Sequence, residues 1–121
     1  MTLATVIQQV NEEKPNSFKP EKLTGFINEI EAEVQAKFNC DKKFIPYTYN
    51  EDGDVELLAP PPYDKLYKSY LKAQVDYANE EYASYQNNQA QHVSDWNSFV
   101  DWIVREGKGM NTSPTRFKHV F

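Results

Sequence analysis

A stretch of 43 residues, 63–105, contains neither glycine nor proline, and it constrains the fold more than any other feature of the sequence. Because these two residues most often interrupt regular structure, the stretch predicts helix over about a third of the chain. Its first part carries two adjacent apolar stripes at helical spacing. The stripes comprise Tyr63, Leu66, Tyr70, Ala73 and Tyr77, and Tyr67, Leu71, Val75, Ala78, Tyr82 and Tyr85.

A helix that is apolar over so wide an arc is expected to be buried on two sides. In a chain of 121 residues, which fits one domain, a neighbouring subunit is a candidate for the second side. Trp102 falls off the main stripe of the following helix and is a further candidate for an interface. The period alone does not decide which of these side chains face inward and which face a neighbour. The candidates for subunit packing or ring contacts are therefore Tyr63, Leu66, Tyr67, Tyr70, Leu71, Tyr77, Tyr82 and Trp102.

Three further helices are predicted from apolar spacing, over about residues 2–12, 20–38 and 90–105. Thr2 can cap the first, and Pro20 suits the first turn of the second. The polar run Gln86-Asn87-Asn88-Gln89 predicts a break or kink before the last helix, because asparagine competes with helix by bonding local backbone. The acidic residues of the second helix are expected to form a solvated face; they are Glu21, Glu29, Glu31 and Glu33.

The middle of the chain changes character and predicts a β-hairpin or a long two-armed loop near 44–58. Asp52-Gly53 supplies a turn signal, with Tyr47, Tyr49 and Val55 on the flanking arms, while Pro46 restricts its arm to a sheet edge. Alternating acidic residues at 50–56 resemble the start of a calcium loop. The glycine stands at the wrong place, however, and proline occupies the twelfth position, so an acidic turn is the better interpretation.

The fold class predicted is therefore mainly α. We expect a small bundle of about four helices in residues 1–106, with the hairpin or long loop inserted, followed by an extended C-terminal tail at 107–121. No apolar run approaches the length of a membrane span, and the first residues lack the pattern of a signal peptide. A single cysteine, Cys40, excludes an internal disulfide and is typical of a protein made in a reducing cytoplasm.

The charged side chains are distributed unevenly along the chain. Residues 1–104 carry nine basic and seventeen acidic side chains, a net charge of −8, whereas residues 105–121 carry +3. The acidic body argues against wrapping DNA through phosphate neutralisation, but it is compatible with DNA that passes without sticking. The tail is either a frayed terminus or a docking peptide with apolar anchors and positive charge. Its candidate docking residues are Met110, Arg116, Phe117, Lys118, Val120 and Phe121.

Residues for catalysis or metal binding do not form a recognisable pattern. His92 and His119 lie on different elements, and His92 is expected on the polar face of the last helix. The sequence has no phosphate-binding loop and no dinucleotide fingerprint. We therefore expect no enzyme activity, no catalytic or metal-ligating residues and no cofactor.

A spaced pattern of packing residues runs from Leu57 to Asn88. It consists of Pro60 to Pro62, Tyr63-Asp64, Leu66-Tyr67, Tyr70, Ala73, Asp76, Glu81-Tyr82, Tyr85 and Asn87-Asn88, and an aromatic helix with Trp96, Phe99 and Trp102 follows. This pattern resembles the small head–tail connector proteins of long-tailed bacteriophages and their prophages. The match covers about residues 55–105. It ends after Arg105, where relatives continue with a Thr-His-Met-Pro-like ending and this chain has Glu106-Gly107-Lys108-Gly109-Met110.

The resemblance implies a structural protein of the virion neck, assembled in the host cytoplasm. Such subunits usually form a twelvefold ring that binds the portal protein of the filled head, extends the DNA channel and meets a downstream neck or tail protein. The tail at 107–121 would then anchor to the portal, with Phe117 and Phe121 as apolar anchors and Arg116 and Lys118 as charge partners.

Two alternatives remain open at this point. The chain could be another neck or tail component, such as a stopper or tail terminator, although those proteins are usually rich in strands. It could also be a helical adaptor outside the virion that binds one protein partner through the basic tail.

Overall fold

The computed structural model describes residues 1–39 and 43–106, and the expectation of a mainly α fold is confirmed. Five helices follow one another along the chain: α1 (Leu3–Glu13), α2 (Pro20–Asn39), α3 (Tyr49–Asp52), α4 (Lys65–Ala78) and α5 (Tyr82–Glu106). The bounds predicted for the first two helices agree with α1 and α2 to within one residue. Cys40 and the predicted tail at 107–121 lie outside the described residues.

Helix α4 occupies the centre of the bundle. It packs along α5 in an antiparallel hairpin and also contacts α1 and α2. The buried apolar side chains form one core, made of Leu3, Val6, Ile7, Val10, Leu23, Ile27, Ile30, Val34, Leu57, Ala59, Leu66, Tyr67, Leu71, Val75, Phe99 and Ile103. Both apolar stripes of α4 contribute to it. The wide apolar arc is therefore covered largely by the chain itself, and does not require a second subunit.

The start of α1 follows directly from its sequence. The hydroxyl of Thr2 accepts a hydrogen bond from the backbone N–H of Thr5 at 3.1 Å, so the predicted cap is present. The buried face of α1 is formed by Leu3, Val6, Ile7 and Val10. The helix ends at Glu13, just before Lys14 and Pro15.

The predicted β-hairpin is wrong, and the long loop is what forms. Residues 43–64, here called the connecting loop, join α2 to α4 and contain the single turn of α3. Gly53 has φ −54° and ψ −33°, whereas the tight hairpin turn that an Asp-Gly pair favours requires positive φ. The second arm pairs with the N-terminal segment instead. The N–H of Leu3 donates to the Val55 carbonyl at 3.2 Å, and that of Ala4 donates to the Gly53 carbonyl at 2.9 Å.

The break predicted at 86–89 is also wrong, because α5 runs unbroken through these residues. The chain turns earlier, over Asn79–Glu81. Glu80 adopts φ 60°, its N–H donates to the Tyr77 carbonyl at 3.1 Å, and the N–H of Glu81 donates to the Asp76 carbonyl at 2.9 Å. These two bonds, with a left-handed residue just past the helix end, form a Schellman motif. The α4–α5 hairpin therefore has a tight, fully bonded tip.

Candidate functional site

Glu31 is a carboxylate with no solvent exposure, placed in the middle of α2. One of its oxygens accepts a hydrogen bond from the Tyr67 hydroxyl. The other accepts from the Tyr47 hydroxyl at 2.8 Å and from the backbone N–H of Leu58 at 2.9 Å. The Tyr67 oxygen in turn accepts from the N–H of Ala59 at 2.9 Å. This network, here called the Glu31 clamp, joins α2, α4 and both arms of the connecting loop.

The environment of the clamp shifts the pKa values of its three ionisable side chains. Burial raises the pKa of Glu31, and the hydrogen bonds from Tyr67, Leu58 and Tyr47 only partly offset it. Burial and the neighbouring carboxylate raise the pKa of both tyrosines, which keeps them protonated as donors at neutral pH. Because the Glu31 carboxylate is fully buried and accepts hydrogen bonds from α4 and from both arms of the connecting loop, the clamp holds the loop against the helices.

A second buried carboxylate, Asp76, ties the far end of the bundle together. One oxygen lies 2.5 Å from the Lys14 ammonium, while the other accepts from the Ser84 hydroxyl and the Asn88 amide, both at 2.7 Å. Burial raises the pKa of Asp76, but the ion pair and these hydrogen bonds outweigh it, so the pKa is lowered overall. Asp76 and Asn88 both belong to the pattern noted in the sequence, and the structure gives them a joint role in packing.

Two further ion pairs neutralise lysines of α4. Glu13 binds the ammonium groups of both Lys68 and Lys72, whose hydrogen bonds lower the pKa of Glu13 to about 2. These pairs lie at the surface and add little stability. Their effect is on the surface charge. Lys14, Lys68 and Lys72 are each paired with a carboxylate, so they present little free positive charge on an acidic body.

The predicted subunit contacts divide into three groups. Leu66, Tyr67 and Leu71 have no solvent exposure, so they belong to the core of the chain and cannot reach a neighbouring subunit. Of the two roles predicted for these positions, packing or ring contact, these three residues therefore serve packing within the chain. Helical period alone cannot separate an apolar face covered by the same chain from one covered by another.

The second group is half-buried and lies mainly at the end of the bundle where α5 finishes. Trp102 stacks on Tyr63 with ring centroids 5.1 Å apart, and its ring meets Phe38 and Phe99 edge-on or tilted at 6.2 Å. Trp102 is therefore a packing residue with a partly exposed ring. Tyr70 lies further along α4, and its hydroxyl donates to Glu29 at 3.0 Å.

The third group is exposed and lies at the tip of the α4–α5 hairpin. Tyr77 is 57% exposed and Tyr82 is 52% exposed. The Tyr77 ring contacts those of Tyr82 and Tyr85, with centroids 5.9 Å and 5.2 Å away. Tyrosine is enriched in protein interfaces, because it offers a large apolar ring and a hydrogen-bonding hydroxyl. This tyrosine cluster is the strongest candidate interface among the described residues.

The residues predicted for the hairpin serve the loop instead. Tyr47 belongs to the Glu31 clamp, and its backbone N–H and carbonyl both bond the Asn28 side chain, at 2.8 Å and 3.1 Å. Asp52 accepts from the N–H of Thr48 at 2.7 Å, which closes the turn of α3. Tyr49 is half-buried and packs against the core.

Two charged or polar side chains lie elsewhere than the sequence predicts. His92, predicted on the polar face of its helix, is buried, with Nδ1 3.1 Å from the Leu66 carbonyl. Glu31, predicted on a solvated face, forms the clamp, while Glu21, Glu29 and Glu33 are exposed as expected. Spacing indicates that both positions face the core, because Glu31 stands four residues after Ile27 and His92 four residues before Trp96, but it does not indicate their hydrogen-bond partners.

The predicted docking residues Met110, Arg116, Phe117, Lys118, Val120 and Phe121 all lie outside the described residues. Within residues 1–39 and 43–106, no group of three or more acidic, histidine or cysteine side chains is arranged to hold a metal ion. None of the helices described is both long and apolar enough to span a bilayer.

Comparison with known proteins adds no relative. No protein family model, no curated protein and no solved structure matches the chain.

Proposed function

We propose that the chain is a structural subunit of the head–tail connector in the neck of a long-tailed bacteriophage. The observation that carries the proposal is the exposed tyrosine cluster, because it lies within the α4–α5 hairpin whose residues carry the resemblance. In this proposal the cluster contacts neighbouring copies in a ring or an adjacent neck protein. The tail at 107–121 binds the portal protein, and the subunit has no catalytic role.

The charge of the body supports a second part of the proposal, that DNA passes through the ring without binding. Residues 1–104 carry a net charge of −8, and three of their nine basic side chains are held in ion pairs with Glu13 or Asp76. A negatively charged surface repels the phosphates of DNA, so a DNA duplex can slide past it without binding.

The helical content favours a connector over a stopper or tail terminator, since those proteins are usually rich in strands. Residues 1–39 and 43–106 hold only an isolated bridge between Thr2 and Glu56. An adaptor outside the virion remains the second alternative, and its partner would be a host protein.

Capture of partners tests the proposal. The tagged full-length chain is expected to retain the portal protein from a lysate of its induced host, as identified by mass spectrometry. The double variant Phe117→Ala/Phe121→Ala should lose the portal protein, while Thr112→Ala/Ser113→Ala in the same segment should keep it. Recovery of tail or neck proteins without the portal protein would instead support the stopper or tail-terminator alternative. Recovery of host proteins alone would support the adaptor.

The tyrosine cluster gives a separate prediction. Tyr77→Ser/Tyr82→Ser should lower incorporation of the chain into purified particles by at least about ten-fold, since tyrosine is enriched among interface hot spots and the loss of one hot spot costs about 2 kcal/mol or more. Thermal stability should change little, because both rings are exposed. Ile45→Ser, at a site 79% exposed on the connecting loop, is the matched control. Normal incorporation of the double variant would exclude the cluster as an interface.

A further inference from the structure

A groove of about 240 Å³ lies between α2, α4 and α5. Ile30 and Glu33 line it from α2 and Tyr70 from α4, and α5 contributes Gln89, His92, Val93 and Trp96. Its volume is below that of a typical pocket for a drug-sized ligand and suits a single side chain. Val93 is 47% exposed and offers an apolar surface at the rim.

Three aromatic rings form one side of this groove. The Tyr70 and His92 rings lie 5.1 Å apart at 62°, and the His92 and Trp96 rings lie 6.3 Å apart. The faces of tyrosine and tryptophan attract cations, and tryptophan does so best. Burial lowers the pKa of His92, so this ring adds no positive charge at neutral pH.

One carboxylate lines the groove on the α2 side, and a second lies close to it. Glu33 lines the groove, and Glu29, one helical turn before it, holds the Tyr70 hydroxyl at 3.0 Å. The lining residues that the structure describes include no lysine or arginine. Aromatic rings next to a carboxylate, with no basic side chain among these lining residues, make the groove suitable for binding a cation.

We propose that this groove binds an arginine side chain presented by a partner polypeptide. The guanidinium lies over the ring of Trp96 and donates to the carboxylate of Glu33 and the amide oxygen of Gln89. Arginine fits better than lysine, because its planar group can stack on a ring while its N–H groups point at acceptors around it. The apolar rim at Val93 receives the residue beside the arginine. This site does not depend on the connector proposal.

The test uses N-acetyl-arginine amide and its neutral isostere N-acetyl-citrulline amide, titrated into the full-length chain. The chain has two tryptophans, so the indole N–H resonances of Trp96 and Trp102 report the groove and the far end of α5 separately. We expect a saturable shift at Trp96 alone, with a millimolar dissociation constant for the arginine probe and binding at least ten-fold weaker for citrulline.

Variants make the result specific. Glu33 is exposed, so Glu33→Gln should fold normally and weaken arginine binding by about three- to ten-fold. Glu21→Gln, on the same helix outside the groove, should leave binding unchanged. Equal shifts with citrulline, equal shifts at both tryptophans, or no saturation at Trp96 by roughly 50 mM probe would each overturn the proposal.

Discussion

Replacing Glu31 by alanine is expected to lower the free energy of unfolding by about 3 kcal/mol. The substitution removes the acceptor for the hydroxyls of Tyr67 and Tyr47 and for the N–H of Leu58. The Tyr67 side chain has no solvent exposure, so its hydroxyl cannot exchange the lost bond for one to bulk water. It also leaves a small cavity beside the core. Chemical denaturation followed by circular dichroism measures the change.

Glu33→Ala is the control for that experiment, because Glu33 lies two residues away on the same helix and is exposed. It should alter stability by less than about 0.5 kcal/mol. If Glu31→Ala were equally mild, the clamp would contribute nothing to the fold. Since the pKa of Glu31 is raised in the folded chain, its contribution is greatest at acidic pH and diminishes as the pH rises through that pKa.

Replacing Asp76 by alanine is expected to cost about 2–3 kcal/mol, because it leaves Lys14, Ser84 and Asn88 without their shared acceptor. Lys14 is partly exposed and can turn to water, which makes this cost smaller than that of the clamp. Thermal unfolding of the variant measures it. Asp101→Ala, at an exposed site on α5, should be nearly neutral.

The pH dependence of the Asp76 variant provides a second measurement. The pKa of Asp76 is lowered in the folded chain, so its stabilisation is present above its unfolded pKa and is lost as the pH falls through the folded pKa. The difference in stability between the wild type and Asp76→Asn should therefore shrink in strong acid. A constant difference across that range would mean that the ion pair with Lys14 does not stabilise the fold.

Local signals in the sequence were sufficient for α1 and α2. Thr2 caps the first helix, Pro20 opens the second, and each has one apolar stripe that faces the core. In both cases the residues that decide the structure lie within a few positions of each other. The bounds of these helices could therefore be predicted without any tertiary information.

Predictions failed where distant residues decide the structure. Asn88 stays helical because its amide bonds Asp76, twelve residues away, instead of the local backbone. Val55 pairs with Leu3 rather than with the first arm of the loop, so no hairpin forms. Glu31 looked solvated because its partners, Tyr47 and Tyr67, come from other elements. No local sequence pattern predicts these long-range contacts.

The Schellman turn at Asn79–Glu81 has a thermodynamic consequence for the tyrosine cluster. Tyr77 and Tyr82 stand on two helices that three hydrogen-bonded residues hold together, so their backbone is already ordered before any partner arrives. Association then freezes only side-chain rotamers, and a tyrosine has few of these. A preorganised tip loses less entropy on binding than a loop would, and it therefore reaches a given affinity with a smaller contact area.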